Sequence, residues 1–425
     1  MDYLLIGNSA AAAGAIEAIR AHDNAGTVAV VSAERHPIYS RPLISYLLGG
    51  MVDEQAMHYR KPDFYERNDV QCMLGRRAIQ VDSEDRVVVL ENDEQLAFER
   101  LLIATGGVPI LPEIEGRELE GVFTFISWDD AHRIGSFIQH YDVKRAMVVG
   151  GGLIGLKSAE ALLALGLETT IVELADRILS ATFDQRASSL LEERLKATGT
   201  HIITQNTATR IQGKRGRVRG AILQDGERID TDLLIFAIGV RPNIDLVADT
   251  GIEVHRGILV NERMETNVPG IYAAGDVAEA LDLSIGAPRV IAIWPNAYRQ
   301  GAVAGHNMVG VSKAYSGGLP MNSVELCGLP TISVGLTAPQ GEGYEILQSY
   351  DETKPMYKKI VLKSNVIVGA ISVGDIDRAG ILTGLIQDRV DVSSFKDQLL
   401  DEDFGLISLP QAYRKHLVTG PEVTV

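Results

Sequence analysis

The chain has 425 residues, 46% hydrophobic and 23% charged, a length that suits two or three domains and a composition that excludes a disordered protein. Its net charge of −16 argues against a nucleic-acid partner, and no run approaches the ~18 apolar residues of a membrane-spanning helix. Cys72 and Cys327 lie far apart with no C-x-x-C, so no disulfide framework, zinc site or iron–sulfur cluster can be assembled from this chain.

Both thiols are expected in the cores of strands. The opening MDYLLIG enters a strand at once with no basic region or cleavage site, which predicts a cytoplasmic, unprocessed protein. Basic clusters at Arg76–Arg77, at Lys214, Arg215, Arg217 and Arg219, and at Lys358–Lys359 read as solvated loop charge, with docking on an acidic protein as the alternative.

In chain order, Tyr3–Ile6 is a strand, Gly7-x-Ser9-x-x-Ala12 a tight turn, and the alanine-rich run after Ser9 a helix. Ser9 and Ala12 replace the second and third glycines of G-x-G-x-x-G, but both are small enough for a pyrophosphate to approach the backbone. A strand at Thr27–Val31 leads to Glu34, an acid for a ribose hydroxyl one position later than the usual spacing. From Val70 to Leu102 short strands form a meander, and Leu101–Gly106 is a buried strand ending in the small-residue turn Ala104-Thr105-Gly106, against which a cofactor can lie. Pro109, Pro112 and Gly116 mark a connection.

The stretch 146–173, AMVVGGGLIGLKSAEALLALGLETTIVE, is the most informative. Met147–Val149 is a buried strand, and Gly150, Gly152 and Gly155 complete the glycine motif. The helix after them runs to Leu165, and Thr169–Val172 is a second strand ending on Glu173. The helix N-terminus offers free N–H groups to phosphates, and Glu173 would accept from a ribose 2′-OH and repel a 2′-phosphate. The stretch therefore reads as a site for NADH in preference to NADPH. A strand Leu233–Gly239 and a turn over 240–243 close this unit. Next, Ile271–Ala274 is a strand ending on Gly275-Asp276; the Asp can accept from a sugar-alcohol hydroxyl, and the helix expected after it would face the pyrophosphate. MNSVELCGLPTISVGL and YKKIVLKSNVIVGAISVGD read as antiparallel strands, with Gly374-Asp375 opening a helix to Gln387. The tail reads as either a disordered end or an arm gripping a neighbouring subunit, and its apolar Leu406, Ile407, Leu409, Tyr413 and Leu417 favour the arm.

Together GNSAAA, LLIATGG, VVGGGLIGLKSAEAL, TIVE, FAIGVRPN and TNVPGIYAAGD resemble the FAD-dependent pyridine nucleotide–disulfide oxidoreductase superfamily over roughly residues 1–310. YSRPLISYLLGG, WPNAYRQGAVAGHNMVG and the strands after Tyr357 resemble its disulfide-free group. That group includes NADH:rubredoxin oxidoreductases, the flavoprotein part of NAD(P)H nitrite reductases, and FAD subunits such as phenylglyoxylate dehydrogenase ε. The resemblance implies an α/β protein with two Rossmann-like dinucleotide-binding domains and a C-terminal α+β domain. The FAD domain, residues 1–110 and 243–314, is split around an NADH domain at 111–242; residues 315–425 form an interface or carrier-docking domain.

By motif, the residues implied at FAD are Gly7, Ser9, Ala10, Ala12, Glu34, Arg41, Pro42, Ala78, Ala104, Thr105, Gly106, Gly275 and Asp276. Those implied at NADH are Gly150, Gly152, Leu153, Ile154, Gly155, Glu173 and Gly239. Family members with the cysteine pair carry it on the helix after the first acid, and Pro42–Leu48 here has no Cys, so disulfide reduction is not expected. Disulfide-free ferredoxin reductases often place a Lys on this helix and a Glu after the second glycine motif; here those positions are Tyr46 and Lys157. Lys157 is therefore expected near the flavin edge, favouring reduced, anionic flavin, unless it only pairs with a surface acid.

The implied activity is electron transfer between NADH and a ferredoxin- or rubredoxin-type iron–sulfur protein, in either direction. The setting implied is a larger complex such as an aldehyde or 2-oxo-acid oxidoreductase. The competing readings are a stand-alone NADH oxidase or peroxidase, which would need a reactive Cys by the flavin, and a flavin-bearing scaffold or sensor that NADH does not bleach.

Overall fold

The computed structural model describes residues 1–351, 353–411 and 414; Tyr413 and Leu417 of the expected arm fall outside them. The chain packs as two compact units, one of Met1–Ile178, Thr198–Asp282 and Gly286–Gly318, the other of Leu179–Ala197, Leu283–Ile285 and Leu319 onward.

The first unit contains two five-stranded parallel sheets. In one the order is Ile271–Ala273, Arg100–Ile103, Tyr3–Ile6, Val28–Ser32, Val70–Leu74. In the other it is His201–Ile203, Glu168–Val172, Arg145–Val149, Leu233–Phe236, Val122–Thr124. Central strands such as Tyr3–Ile6 and Leu233–Phe236 are apolar and buried at every position, as parallel strands covered on both faces must be. Val70–Leu74 is thus not the first strand of a meander. It pairs in parallel with Val28–Ser32, and the antiparallel meander is confined to Ala78–Asp82, Val87–Leu90 and Gln95–Ala97. Its Cys72 is exposed, contrary to the expectation of a core thiol. The 240–243 turn is also a strand: Val240–Pro242 pairs antiparallel with Gly107–Pro109, so a two-stranded ribbon carries the chain out to the second parallel sheet and back.

Helices Ala10–Arg20 and Trp294–Met308 cross at backbone contact. A Cβ on Gly301 would lie 2.0 Å from the Ala11 carbonyl oxygen, and one on Gly14 would lie 2.3 Å from that of Tyr298. Only small residues allow that approach.

The second unit is a five-stranded antiparallel sheet in the order Met321–Leu326, Leu329–Gly335, Val366–Val373, Met356–Lys363, Tyr344–Asp351. Helix Ala379–Gln387 packs on it, starting four residues after Asp375. The edge strand Tyr344–Asp351 has no buried position, which is why no apolar alternation announced it. Cys327 sits in the tight turn before Leu329, at φ +48°, not inside a strand. Leu409 is buried in this unit's own core, whereas Leu406 and Ile407 are 53% and 81% exposed. No helix among the described residues is long and apolar enough to cross a membrane.

Helix Gln185–Ala197 belongs to this unit although it follows the second parallel sheet's strand Glu168–Val172 in sequence. Asp184 ties it down. Its Oδ1 accepts from the Ala187 N–H (3.1 Å), and its Oδ2 from the Tyr357 hydroxyl (2.7 Å) and the Lys359 ammonium (3.0 Å). Burial works to raise the Asp184 pKa, but the bonds from Tyr357, Lys359 and the backbone outweigh it and hold the carboxyl below the usual range. A lowered carboxylate stabilises the fold above its unfolded pKa and loses that contribution as pH falls through the folded value. Lys359 is 7% exposed, so Asp184→Ala should strand a buried ammonium and cost about 3 kcal/mol at pH 7. Chemical denaturation of both proteins at pH 7 and near pH 3 checks this: the difference should shrink in acid.

Candidate functional site

Two strand–turn–helix units repeat one geometry. In the first, Gly7 has φ +110° and a Cβ there would lie 2.0 Å from the Ala104 carbonyl oxygen. In the second, Gly150 has φ +114° and its Cβ would lie 2.3 Å from the Ala237 carbonyl oxygen. Each first glycine is thus required twice over, by its left-handed backbone and by the end of the neighbouring strand. Helix Ala10–Arg20 begins after Ser9 and helix Leu153–Ala164 after Gly152, neither with a side-chain cap bond. The first-turn N–H groups of Ala10, Ala12, Leu153 and Ile154 are left to whatever lies before the helix.

At the second turn a Cβ on Gly155 would strike the Gly150 carbonyl oxygen at 1.9 Å, whereas one on Gly152 meets nothing within 4 Å. The first shows close helix–strand packing; the second shows open space where a pyrophosphate would lie. Glu173 follows its strand and accepts from the N–H groups of Gly151 and Ala175, the latter at 2.7 Å. Its carboxylate is anchored at the glycine turn by these two bonds. Gly239 faces Ile110, whose N–H donates to the Gly239 carbonyl at 3.0 Å. Leu174, Ile238 and Ile110, at 64%, 39% and 40% exposure, are apolar side chains left open beside this turn. Sequence motifs did not single them out.

Around the first turn the acids are held differently. Glu34 accepts from the Tyr39 hydroxyl at 2.7 Å and ion-pairs with Arg41, which also donates to the Ile126 carbonyl at 3.0 Å. Tyr39, missed in the sequence, thereby organises the acid, and the Arg41 guanidinium lies 5.1 Å from its ring centre. Pro42 lies in the 3-10 turn Arg41–Leu43 that leads into helix Ile44–Leu48. Ala78 opens a meander strand and pairs with Leu90. Thr105 spends its hydroxyl on the Asn243 carbonyl (2.8 Å), and Asn243 returns its N–H to Gly106 (2.8 Å), so this turn also staples the two crossings of the chain. Gly275 donates to the buried Gln300 Oε1 at 2.8 Å.

Burial pushes the Asp276 carboxyl up, opposed by the charge of Arg41; hydroxyl donors from a ligand would stabilise that carboxylate. The helix expected after Asp276 is instead the hairpin Ala278–Asp282 with Ala287–Arg289. The helix beside this corner is Trp294–Met308, whose Ala297 Cβ lies 3.5 Å from the ideal Cβ position of Gly275. Strand pairing of Ala278 and Glu279 with Ile258–Leu259, and of 280–282 with 287–289, won over local helix formation. The uncapped turns, the open space at Gly152 and the partly desolvated acid fit two dinucleotides.

Tyr46 and Lys157, far apart in sequence, do meet. The Lys157 Nζ lies 3.3 Å from the Tyr46 hydroxyl and 4.4 Å from its ring centre, and it ion-pairs with Glu160. Burial works against the ammonium, but Glu160 and Tyr46 outweigh it and raise its pKa. Lys157 therefore does pair with an acid, though one only 20% exposed and so not a freely solvated one.

Residues 1–301 match the pyridine nucleotide-disulphide oxidoreductase family, and residues 320–390 match the rubredoxin NAD+ reductase C-terminal domain. The chain is 34% identical to the NAD(P)H nitrite reductase of Bacillus subtilis over 92% of its own length but only 48% of that protein, so it spans about half of that relative. It is 32% identical to the NADH-dependent phenylglyoxylate dehydrogenase subunit epsilon of Aromatoleum evansii, covering 94% of each chain. The NAD-dependent persulfide reductase of A. fulgidus superposes with a TM-score of 0.86 at 26% identity, over 95% of this chain and 79% of that one. The chain belongs to the pyridine nucleotide-disulphide oxidoreductase family, with FAD and NADH as its cofactors.

Proposed function

We propose that this protein passes electrons between NADH and an iron–sulfur protein of the ferredoxin or rubredoxin type, as the flavoprotein of a larger redox complex. The observation that carries the reading is the pair of uncapped dinucleotide turns combined with a helix Ile44–Leu48, ISYLL, that has no cysteine. Disulfide chemistry has no thiol there. The match to a rubredoxin reductase C-terminal domain and the full-length likeness to an NADH-dependent dehydrogenase subunit support a protein acceptor and a complex. An aldehyde or 2-oxo-acid oxidoreductase suits such a complex, and electrons can run either way.

Bound FAD would supply the redox chemistry, hydride acceptance on one side and single-electron donation on the other. The protein's residues position it. In this reading Gly7, Ser9, Ala10, Ala12, Ala104, Thr105, Gly106 and Gly275 shape the FAD bed, Arg41 and Pro42 flank it, and Asp276 and Glu34 receive its hydroxyls. Ala78 borders the FAD domain's meander. Gly150, Gly152, Leu153, Ile154 and Gly155 receive the NADH pyrophosphate, Glu173 its ribose, and Gly239 and Ile110 bound the far end. Lys157 and Tyr46 stand at the flavin edge. The domain limits in this reading are 1–110 and 243–314 for FAD, 111–242 for NADH, and 315–425 for carrier docking.

Anaerobic titration with NADH tests this. Full bleaching of the flavin, slow reoxidation by air and fast reoxidation by ferredoxin or rubredoxin are the expected result. Fast air oxidation would instead establish an oxidase, and an unbleached flavin would leave a scaffold.

A further inference from the structure

The helices Ile44–Leu48 and Leu153–Ala164 touch closely: a Cβ on Gly49 would lie 3.4 Å from the Ala161 Cα. The first helix continues directly from the turn bearing Arg41, and the second starts at the NADH glycine turn. At this seam stand Tyr46, Lys157 and, one helical turn beyond Lys157, Glu160. No motif points to Glu160.

We propose that Glu160 is a charge-compensating positioning residue: its carboxylate cancels most of the field of the Lys157 ammonium and, with Tyr46, fixes where that ammonium points. This rests on the reading above that Lys157 lies at the flavin edge. Lys157 and Glu160 are only 15% and 20% exposed, so water screens neither charge well. The Tyr46 ring, 4.4 Å from Nζ, holds the ammonium from the opposite helix by its electron-rich face. A lone buried cation would favour the more negative, reduced flavin. An ion pair acts instead as a dipole whose effect falls off quickly with distance. Compensation keeps the bound flavin a poor enough oxidant to pass electrons on to a low-potential carrier.

The test is the two-electron reduction potential of bound FAD, measured anaerobically against reference dyes in the whole protein with no acceptor present. Lys157→Met should lower the equilibrium constant for reduction about tenfold and Glu160→Gln should raise it about tenfold, shifts of ~30 mV in opposite directions. The double variant should return close to the wild-type potential. FAD content and melting temperature establish that each variant is folded; if Glu160→Gln is not, Glu160→Asp, which lengthens the pair, should give a smaller shift of the same sign. If Lys157→Met moves the potential and neither Glu160 variant does, or they move it the same way as Lys157→Met, the compensation is overturned and the placement of Lys157 stands. If none moves it, the placement of Lys157 falls as well.

Discussion

Gly152→Val should weaken NADH binding strongly while leaving the protein as stable as before. A Cβ at Gly152 meets no protein atom within 4 Å, and its backbone, at φ −79°, is open to any residue. A valine Cβ there points into open space, where the ligand is expected to lie. The NADH dissociation constant should rise by on the order of 100-fold, ~3 kcal/mol, with flavin content and melting temperature unchanged. Gly150→Val sets the contrast. Its φ of +114° and the 2.3 Å approach to the Ala237 oxygen make any side chain a strain on the fold itself, about 3 kcal/mol when the dihedral and the clash are combined. That variant should lose NADH and stability together. Native NADH affinity in Gly152→Val would mean the open space is not where the pyrophosphate lies.

The largest loss of stability is expected at Gly301→Leu. A Cβ there would sit 2.0 Å from the Ala11 carbonyl oxygen and 2.6 Å from its carbon, both backbone atoms of a helix that cannot step aside alone. Helices Ala10–Arg20 and Trp294–Met308 would have to separate, at a cost of about 3 kcal/mol or more. Because in the proposed reading the first of them also presents its N-terminus to FAD, the flavin should be lost with it, and the melting temperature should fall by on the order of 5 °C or more. Gly380→Ala is the control. It lies exposed in helix Ala379–Gln387 with no atom within 4 Å of its Cβ, so it should gain up to about 1 kcal/mol from helix propensity. A yellow Gly301→Leu protein with native melting would show that the helix crossing can relax.

The sequence by itself determined whatever short-range physics controls. Gly7 and Gly150 were legible because a strand that turns straight into a helix needs a left-handed residue there, and glycine is the residue that allows it. Tyr3–Ile6 and Leu233–Phe236 were legible because a strand covered on both faces must be apolar throughout. Glu173 was legible because its strand ends at a set distance from the turn it faces. The absence of cysteine from Ile44–Leu48 needed no structure at all.

Only the tertiary structure decided which elements pair, since the partners lie far along the chain. Val70–Leu74 joins the parallel sheet because Val28–Ser32 offers it an edge. Val240–Pro242 becomes a strand because Gly107–Pro109 runs beside it. The residues after Asp276 extend because Ile258–Leu259 pairs with them. The same holds for the site. Glu34 is fastened by Tyr39 and Arg41, and Lys157 is gripped between Tyr46 on one helix and Glu160 on another turn of its own. A side chain's charge is written in the sequence, but the field it exerts depends on the neighbours that folding brings within a few ångströms of it.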